Sequence, residues 1–310
     1  MAVSYYPRIE MVEVKPSKKT QAERKQAALE QELFDKQARW QARQTPQSYL
    51  TMAQKKVLLG VAPDKDFIQQ VKLIAAAPQA AAPQALLPSY DPEIDWRTKN
   101  GGKVSHVVDQ GACGSCVSFG TVALLESTAL IERNLQLDLS EADLHFCSSH
   151  GASCAGWYPS SALQSVIARG VCDEAHFPYA SAFIGGAPTC VLAPDRAQHV
   201  FKIQAYNWII FDAFRKDYLT HHGPMVACMT VYDDFFSYSA GVYHHVTGGR
   251  AGGHCILVIG YSQSQGCWIC KNSWGKSWGE AGFFKIAYGE CSIDSILSPF
   301  FGAQGIVLPA

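Results

Sequence analysis

Glycine and cysteine are confined almost entirely to one part of this 310-residue chain: 24 of the 25 glycines and all 11 cysteines follow Pro88, and Gly60 is the exception. A stretch with a single glycine and no cysteine favours long helices joined by linkers, whereas one rich in glycine turns sharply and often. Charge divides at the same place. Residues 1 to 88 carry 13 Lys/Arg against 8 Asp/Glu (+5), and the remainder carries 13 against 19 (−6). The near-neutral total lacks the excess basicity of a nucleic-acid binder, and 48% hydrophobic with 17% charged residues is too apolar for a wholly disordered chain. No apolar run reaches about 18 residues, so no membrane span is expected. Met1 to Lys19 has no apolar stretch ahead of its charges, so no secretory signal is visible.

Residues 18 to 44 contain neither Gly nor Pro and place Leu29, Leu33, Phe34 and Trp40 at roughly helical spacing, which predicts an amphipathic helix. A shorter helix is expected from Ser48 or Thr51 as N-cap to Gly60, and another from Asp66 to Ala75. Residues 75 to 88, AAAPQAAAPQALLP, read as a linker. Beyond it, Cys116 to Arg133 predicts a long buried helix and Pro159 to Arg169 a second helix, closed by Gly170. The runs Trp208–Phe211, Met225–Val231, Cys255–Tyr261, Trp268–Cys270 and Gly282–Ala287 read as strands. A helix-rich first half and a strand-rich second half give an α+β fold in two lobes.

The densest chemistry lies in Gln110-Gly111-Ala112-Cys113-Gly114-Ser115-Cys116, just before the first buried helix. Thiolate is the reactive form of cysteine, and a helix N-terminus favours it; Cys116 is the cysteine so placed. Gln110 offers an amide donor for an oxyanion. A zinc site built from Cys113, Cys116, Cys267 and Cys270 competes with this reading, but the two pairs lie about 150 residues apart, beyond usual zinc-ribbon spacing. A redox dithiol competes too, without the βαβ pattern that accompanies one. His254, after Gly252-Gly253 and at the expected start of a strand, is the candidate base. Asn272, in Lys271-Asn272-Ser273-Trp274-Gly275, is the candidate that orients it, with Trp274 as a shield from water.

Together these segments resemble the papain family of cysteine peptidases over about residues 93 to 298. Asp95-Trp96-Arg97 resembles the family's mature N-terminal segment, and Gln110 to Phe119 its Q-x-x-C-G-S-C-W-x-F block. Leu139-Ser140-Glu141, Cys154-x-Gly156, Gly241-Val242-Tyr243, Gly253-His254 and Lys271 to Gly279 follow in the family's order. The resemblance implies a helix-rich lobe and an antiparallel, β-barrel-like lobe with a cleft between them. It implies Cys116 as nucleophile, His254 as its proton partner in a thiolate–imidazolium pair, Asn272 as orienter and Gln110 as oxyanion donor. It further implies disulfides Cys113–Cys154 and Cys147–Cys190, and no metal or cofactor. Cys172, Cys228, Cys255, Cys267, Cys270 and Cys291 have no family partner and are expected mostly reduced and buried.

Substrate binding is implied at Gly156, Trp157, Tyr158, Pro159, Cys228, Gly252, Gly253, Trp274 and Ile296. The uncharged lining predicts a hydrophobic side chain at P2, the second residue on the amino side of the scissile bond. Val117 stands where the family has Trp, and Trp157 where it has Gly. His221-His222 and His244-His245 invite comparison with exopeptidase histidines but lie outside the matching loop and read as surface residues, so an endopeptidase is expected. Residues 1 to 88 have the size and position of an inhibitory prosegment, although the family's usual prosegment helix motif is not recognisable; a disordered or partner-binding extension is the other reading. Peptide or protein substrates and a monomeric, secreted, periplasmic or lysosome-like zymogen are expected. A catalytically silent binding protein on the same fold and an acyl-transferring ligase or transamidase are the alternatives.

Overall fold

A computed structural model describes residues 20–62, 65–76, 87–148, 152–184 and 188–309. The apolar run after Ser115 forms α4 (Cys116–Arg133), buried continuously from Cys116 to Ala129. It is apolar nearly all round because it forms the spine between the lobes. The helix stops where Asn134 turns left-handed at φ 51°. Around it lie α5 (Glu141–Phe146), capped by Ser140, and α6 (Pro159–Ala168), with proline in its first turn and Gly170 at φ +73° just past its end.

The second lobe is built on β4 (Val200–Ile209), β5 (Met225–Tyr232), β6 (Tyr238–Tyr243), β7 (Arg250–Ser262), β8 (Cys267–Lys271), β9 (Phe283–Ala287) and β10 (Phe300–Val307), with α7 (Asp212–His221) between β4 and β5. With β1 (Trp40–Ala42) and β3 (Val171–Cys172) the order is β1-β6-β9-β8-β7-β5-β10-β4-β3, and β2 (Glu93–Asp95) pairs with β7. All pairings are antiparallel except β6 with β9. The barrel-like sheet does not close: it ends on β1 and β3. Phe235, Trp274, Trp278, Tyr238, Tyr243 and Phe284 fill the interior of this lobe as one aromatic cluster, with ring centroids 4.8 to 6.3 Å apart.

Several sequence expectations shift by a few residues. The strand expected at Trp208–Phe211 begins at Val200 and ends at Ile209, and His254 lies five residues inside β7 rather than at its start. The helix expected over 18 to 44 is α1 (Gln21–Asp35), opened by a reciprocal Thr20–Glu23 capping box. It ends before Gln37, at φ 51°, and Trp40 joins the sheet edge as part of β1. Tertiary pairing overrides helical spacing there: the Trp40 indole donates to the His244 carbonyl at 3.0 Å and packs on Tyr243. Phe34, one of the residues at helical spacing, is 79% exposed, whereas Leu33 is buried. Thr51 is the cap of α2 (Met52–Val57), and α3 spans Lys65–Ala76, so the linker reading loses its first two residues. The Met1–Lys19 region and linker residues 77 to 86 lie outside the described residues.

The N-terminal segment has no core of its own and docks on the strand-rich lobe. Three of its cations donate to backbone carbonyls: Lys36 to Val246 at 2.6 Å, Arg39 to Gln265 at 3.0 Å, Arg43 to Ser277 at 2.7 Å. Buried Lys55 makes an ion pair that crosses between the segments, to Asp233 at 2.6 Å.

Candidate active site

Each wall of the cleft presents its groups from regular structure. Cys116 opens α4 on one wall; His254 on β7 and Asn272, just after β8, stand on the other. His254 Nε2 lies 2.8 Å from Asn272 Oδ1, and because an amide oxygen only accepts, Nε2 carries the proton. Nδ1 is left buried with no hydrogen-bond partner. The Trp274 ring lies 4.7 Å from His254 and stacks on Phe236 at 5.1 Å. Fully buried in this state, Trp274 covers the His–Asn pair, and its carbonyl accepts from Gln47 of the N-terminal segment at 3.1 Å.

Gln110 is fixed at both ends. Its Oε1 accepts from Ser273 Oγ at 2.7 Å, so Nε2 faces the cleft, donating to the Cys113 carbonyl at 2.7 Å and the Leu58 carbonyl at 3.0 Å. Tyr179, to which the sequence assigned no role in the site, braces this corner: its hydroxyl bonds Ser115 Oγ at 2.7 Å and donates to the Gln110 carbonyl at 3.0 Å. Cys113 is bonded to Cys154, which removes the dithiol that the zinc and redox readings require, and Cys147 is bonded to Cys190. Of the six other cysteines, all but the half-buried Cys228 are buried thiols.

The cleft is occupied by the chain's own N-terminal segment. Gly60 accepts from the Trp157 amide at 2.8 Å, Ala62 donates to the Trp157 carbonyl at 2.8 Å, and Val61 donates to the Gly253 carbonyl at 3.3 Å on the opposite wall. Backbone amides of Cys255, Gly60 and Val117 point at the Cys116 sulfur. The lone glycine of the first 88 residues thus lies on the candidate nucleophile. A Cβ at Gly60 would stand 1.8 Å from the Gly114 carbonyl oxygen, and one at Gly156 would stand 2.7 Å from that of Gly60. Trp157 keeps the backbone pairing expected of a glycine there while its side chain is buried. Val117, which stands in for a large aromatic group, is fully buried.

Side chains of the same segment fill the walls. Leu59 packs on Gly252 and Val61 on Gly253. Phe67 on α3 sits 5.7 Å from Tyr158, 5.3 Å from Trp208 and 5.5 Å from Phe301, ring to ring. Trp208 and Phe301 were missed because they lie on separate strands, β4 and β10, which meet only in the folded sheet. Ile296, expected in this lining, is 43% exposed and outside the buried apolar cluster; Cys228 lies directly across from Cys255 in the β5–β7 register. Pro159 is buried as the first residue of α6. Of the two histidine pairs, His221 and His222 are exposed, but His244 and His245 are half-buried, His245 stacking on Tyr232 at 3.8 Å.

Covering the site reverses the electrostatics expected of a helix N-terminus. Burial pushes the Cys116 thiol up to about 12, more than the three amide hydrogen bonds lower it. Burial likewise pulls His254 down to about 4 against the opposing effect of Asn272. In this state the pair is neutral thiol and neutral imidazole.

A two-lobed α+β fold with a cysteine at a helix start facing a strand-borne His–Asn pair defines the class of papain-like proteins. Residues 90–299 match the family described as papain family cysteine protease. Mouse (Mus musculus) pro-cathepsin H is 35% identical over 212 residues, 65% of this chain and 61% of that protein, so the match spans under two thirds of the relative's length. A gut-specific cysteine proteinase of Caenorhabditis elegans is 31% identical over 253 residues, 72% of this chain and 75% of the relative. Among solved structures, a procathepsin B of Trypanosoma congolense superposes with a TM-score of 0.74 at 23% identity, covering 90% of this chain and 97% of that one. A digestive procathepsin L of Tenebrio molitor gives 0.71 at 23% identity over 91% and 88%. The chain belongs to the papain family of cysteine proteases. Among the described residues, no helix is long and apolar enough to cross a membrane.

Proposed function

We propose that residues 89–310 are a cysteine endopeptidase domain and residues 1–88 its prosegment, the full chain being a zymogen of a secreted, periplasmic or lysosome-like peptidase. The observation that carries this is the 60–62 backbone paired to Trp157 and Gly253 on opposite walls, with the Gly60 amide aimed at the Cys116 sulfur. A peptide already fills the place a substrate would take.

Once the segment leaves, Cys116 gives its proton to His254 Nδ1, and the sulfur attacks the scissile carbonyl. The oxyanion forms where the Leu58 carbonyl now meets Gln110 Nε2. His254 returns the proton to the leaving amine, and water then hydrolyses the thioester, with Asn272 holding the imidazole throughout. The Phe67 contacts with Tyr158, Trp208 and Phe301 support an apolar, aromatic-tolerant site on the same wall and hence a hydrophobic P2 preference. The test is labelling of Cys116 by a thiol-directed epoxide in the full chain and after cleavage at a protease site engineered into residues 77–86. Slow labelling that rises on cleavage, accompanied by hydrolysis of peptides with apolar P2, is expected. Equal labelling of both forms would refute inhibition, labelling without hydrolysis would favour a silent homologue or a transferase, and a preference for Arg or Lys at P2 would refute the specificity.

A further inference from the structure

Cys116 opens α4 and Trp157 lies just before α6, so whatever joins these two helix starts decides how a peptide paired to Trp157 sits over the sulfur. One link is the Cys113–Cys154 disulfide, with the Gly114 amide donating to the Cys154 carbonyl at 3.1 Å. A second runs through His145, in the last turn of α5 and fully buried. Its Nδ1 lies 2.8 Å from the hydroxyl of Ser118, in the first turn of α4 two residues past the nucleophile. Its ring meets the Trp157 indole edge to face, with centroids 6.2 Å apart at 79°. The Ser153 backbone also lies against the ring, and Ser153 exchanges hydrogen bonds with Gly156, the neighbour of Trp157.

An imidazole is a costly way to fill this space. Its Nε2 is buried with no hydrogen-bond partner among the described residues, a cost that a leucine or phenylalanine would not carry. Burial pulls the ring down to about 4, so it is neutral and serves as no acid for the cleft. What the imidazole supplies is direction. The bond to Ser118 fixes the plane of the ring relative to α4, and that plane fixes the indole packed on it.

We propose that His145 is a positioning residue, which through Ser118 and Trp157 holds the peptide-pairing backbone of Trp157 in register with the Cys116 sulfur. This rests on the peptidase reading above. Val61, one residue beyond the Gly60 that lies on the sulfur, is the residue bridged to Trp157. By the same register the backbone of a substrate's P2 residue pairs there, so substrates with a P2 residue depend on His145 and an acyl group too short to reach Trp157 does not.

The test compares two esters of one leaving group, a blocked dipeptide with an apolar P2 residue and a plain acetate, on the full chain cleaved within residues 77–86. His145→Ala should lower kcat/KM for the dipeptide about 10- to 100-fold, the cost of displacing a bound substrate by up to about 1 Å, and change the acetate less than about twofold. His145→Phe keeps the ring and loses the Ser118 bond, and Ser118→Ala loses the same bond from the other side; both should show a smaller loss, again confined to the dipeptide. Equal losses on the two esters, as a merely structural role would give, or no loss on the dipeptide, would overturn the proposal. If His145→Ala fails to fold, Ser118→Ala, which removes a single oxygen, decides by the same comparison. A parent enzyme that hydrolyses neither ester would refute the peptidase reading itself, and the proposal with it, before any variant is made.

Discussion

Gly60→Ala is the sharpest probe of how the cleft is held shut. The new methyl carbon would lie 1.8 Å from the Gly114 carbonyl oxygen, 2.3 Å from its carbonyl carbon and 2.7 Å from its Cα. All three are backbone atoms at the start of α4, locked by the Cys113–Cys154 disulfide and by the Gly114 amide bond to the Cys154 carbonyl. The segment must therefore retreat, by more than about 1 Å to reach ordinary contact. That displacement breaks or stretches the hydrogen bonds Trp157 to Gly60, Ala62 to Trp157, Val61 to Gly253 and Gln110 to Leu58. At about 0.5–1.5 kcal/mol each, four bonds amount to roughly 2–6 kcal/mol of docking free energy. At 1.4 kcal/mol per tenfold, the open population rises about 30-fold at the low end and over a thousandfold at the high end. The assay is the rate of epoxide labelling of Cys116 in the uncleaved chain, which tracks that population. Gly249→Ala, whose Cβ would meet nothing within 4 Å, is the control and should label like wild type. If Gly60→Ala labels as slowly as the control, the segment does not restrain the site through this contact.

Acid should loosen the same contact. His254 is held down to about 4 in the covered state, so the open state, with its ordinary value near 6.5, takes up a proton first as pH falls. Docking strength is therefore greatest between about pH 6.5 and 8.5; it declines between 6.5 and 4, losing about 3 kcal/mol through His254, and weakens again above about 8.5, where the uncovered Cys116 thiol ionises and the covered one does not; uncleaved-chain labelling that fails to rise over the acid window would contradict this. Lys55→Met removes the crossing ion pair with Asp233 and should speed activation about tenfold, near the lower end of a charged hydrogen bond because Asp233 is over a third exposed; activation half-times measured at low and high salt check it. Asn272→Ala frees the His254 ring and should lower kcat of the cleaved enzyme about 10- to 100-fold with little change in KM, as expected for loss of one hydrogen bond to a charge-bearing group; a change confined to KM would place Asn272 in substrate binding instead.

Local chemistry is why α4, α6 and the cap of α2 could be read in advance: Thr51, Pro159 and Gly170 act within a few residues of themselves. The catalytic candidates were legible for a similar reason, since Gln110, Cys116, His254 and Asn272 each sit in a dense run of glycine, serine and tryptophan. Trp40 and Phe34 misled because helical spacing records periodicity, not partners; β6 claimed the first and solvent the second. Trp208, Phe301 and Phe67 stand far apart along the chain and meet only because β4 and β10 pair and α3 lies across them.

By itself, then, the sequence determined two kinds of polypeptide divided near Pro88, the helices with their own caps, and four candidate residues for a thiol–imidazole site. Tertiary structure decided the protonation state of that site, because desolvation depends on what covers a group and not on its neighbours in sequence. It also decided the place of Gly60, the one glycine on the wrong side of the divide. Only a residue without a Cβ lets one backbone lie against another at the mouth of α4.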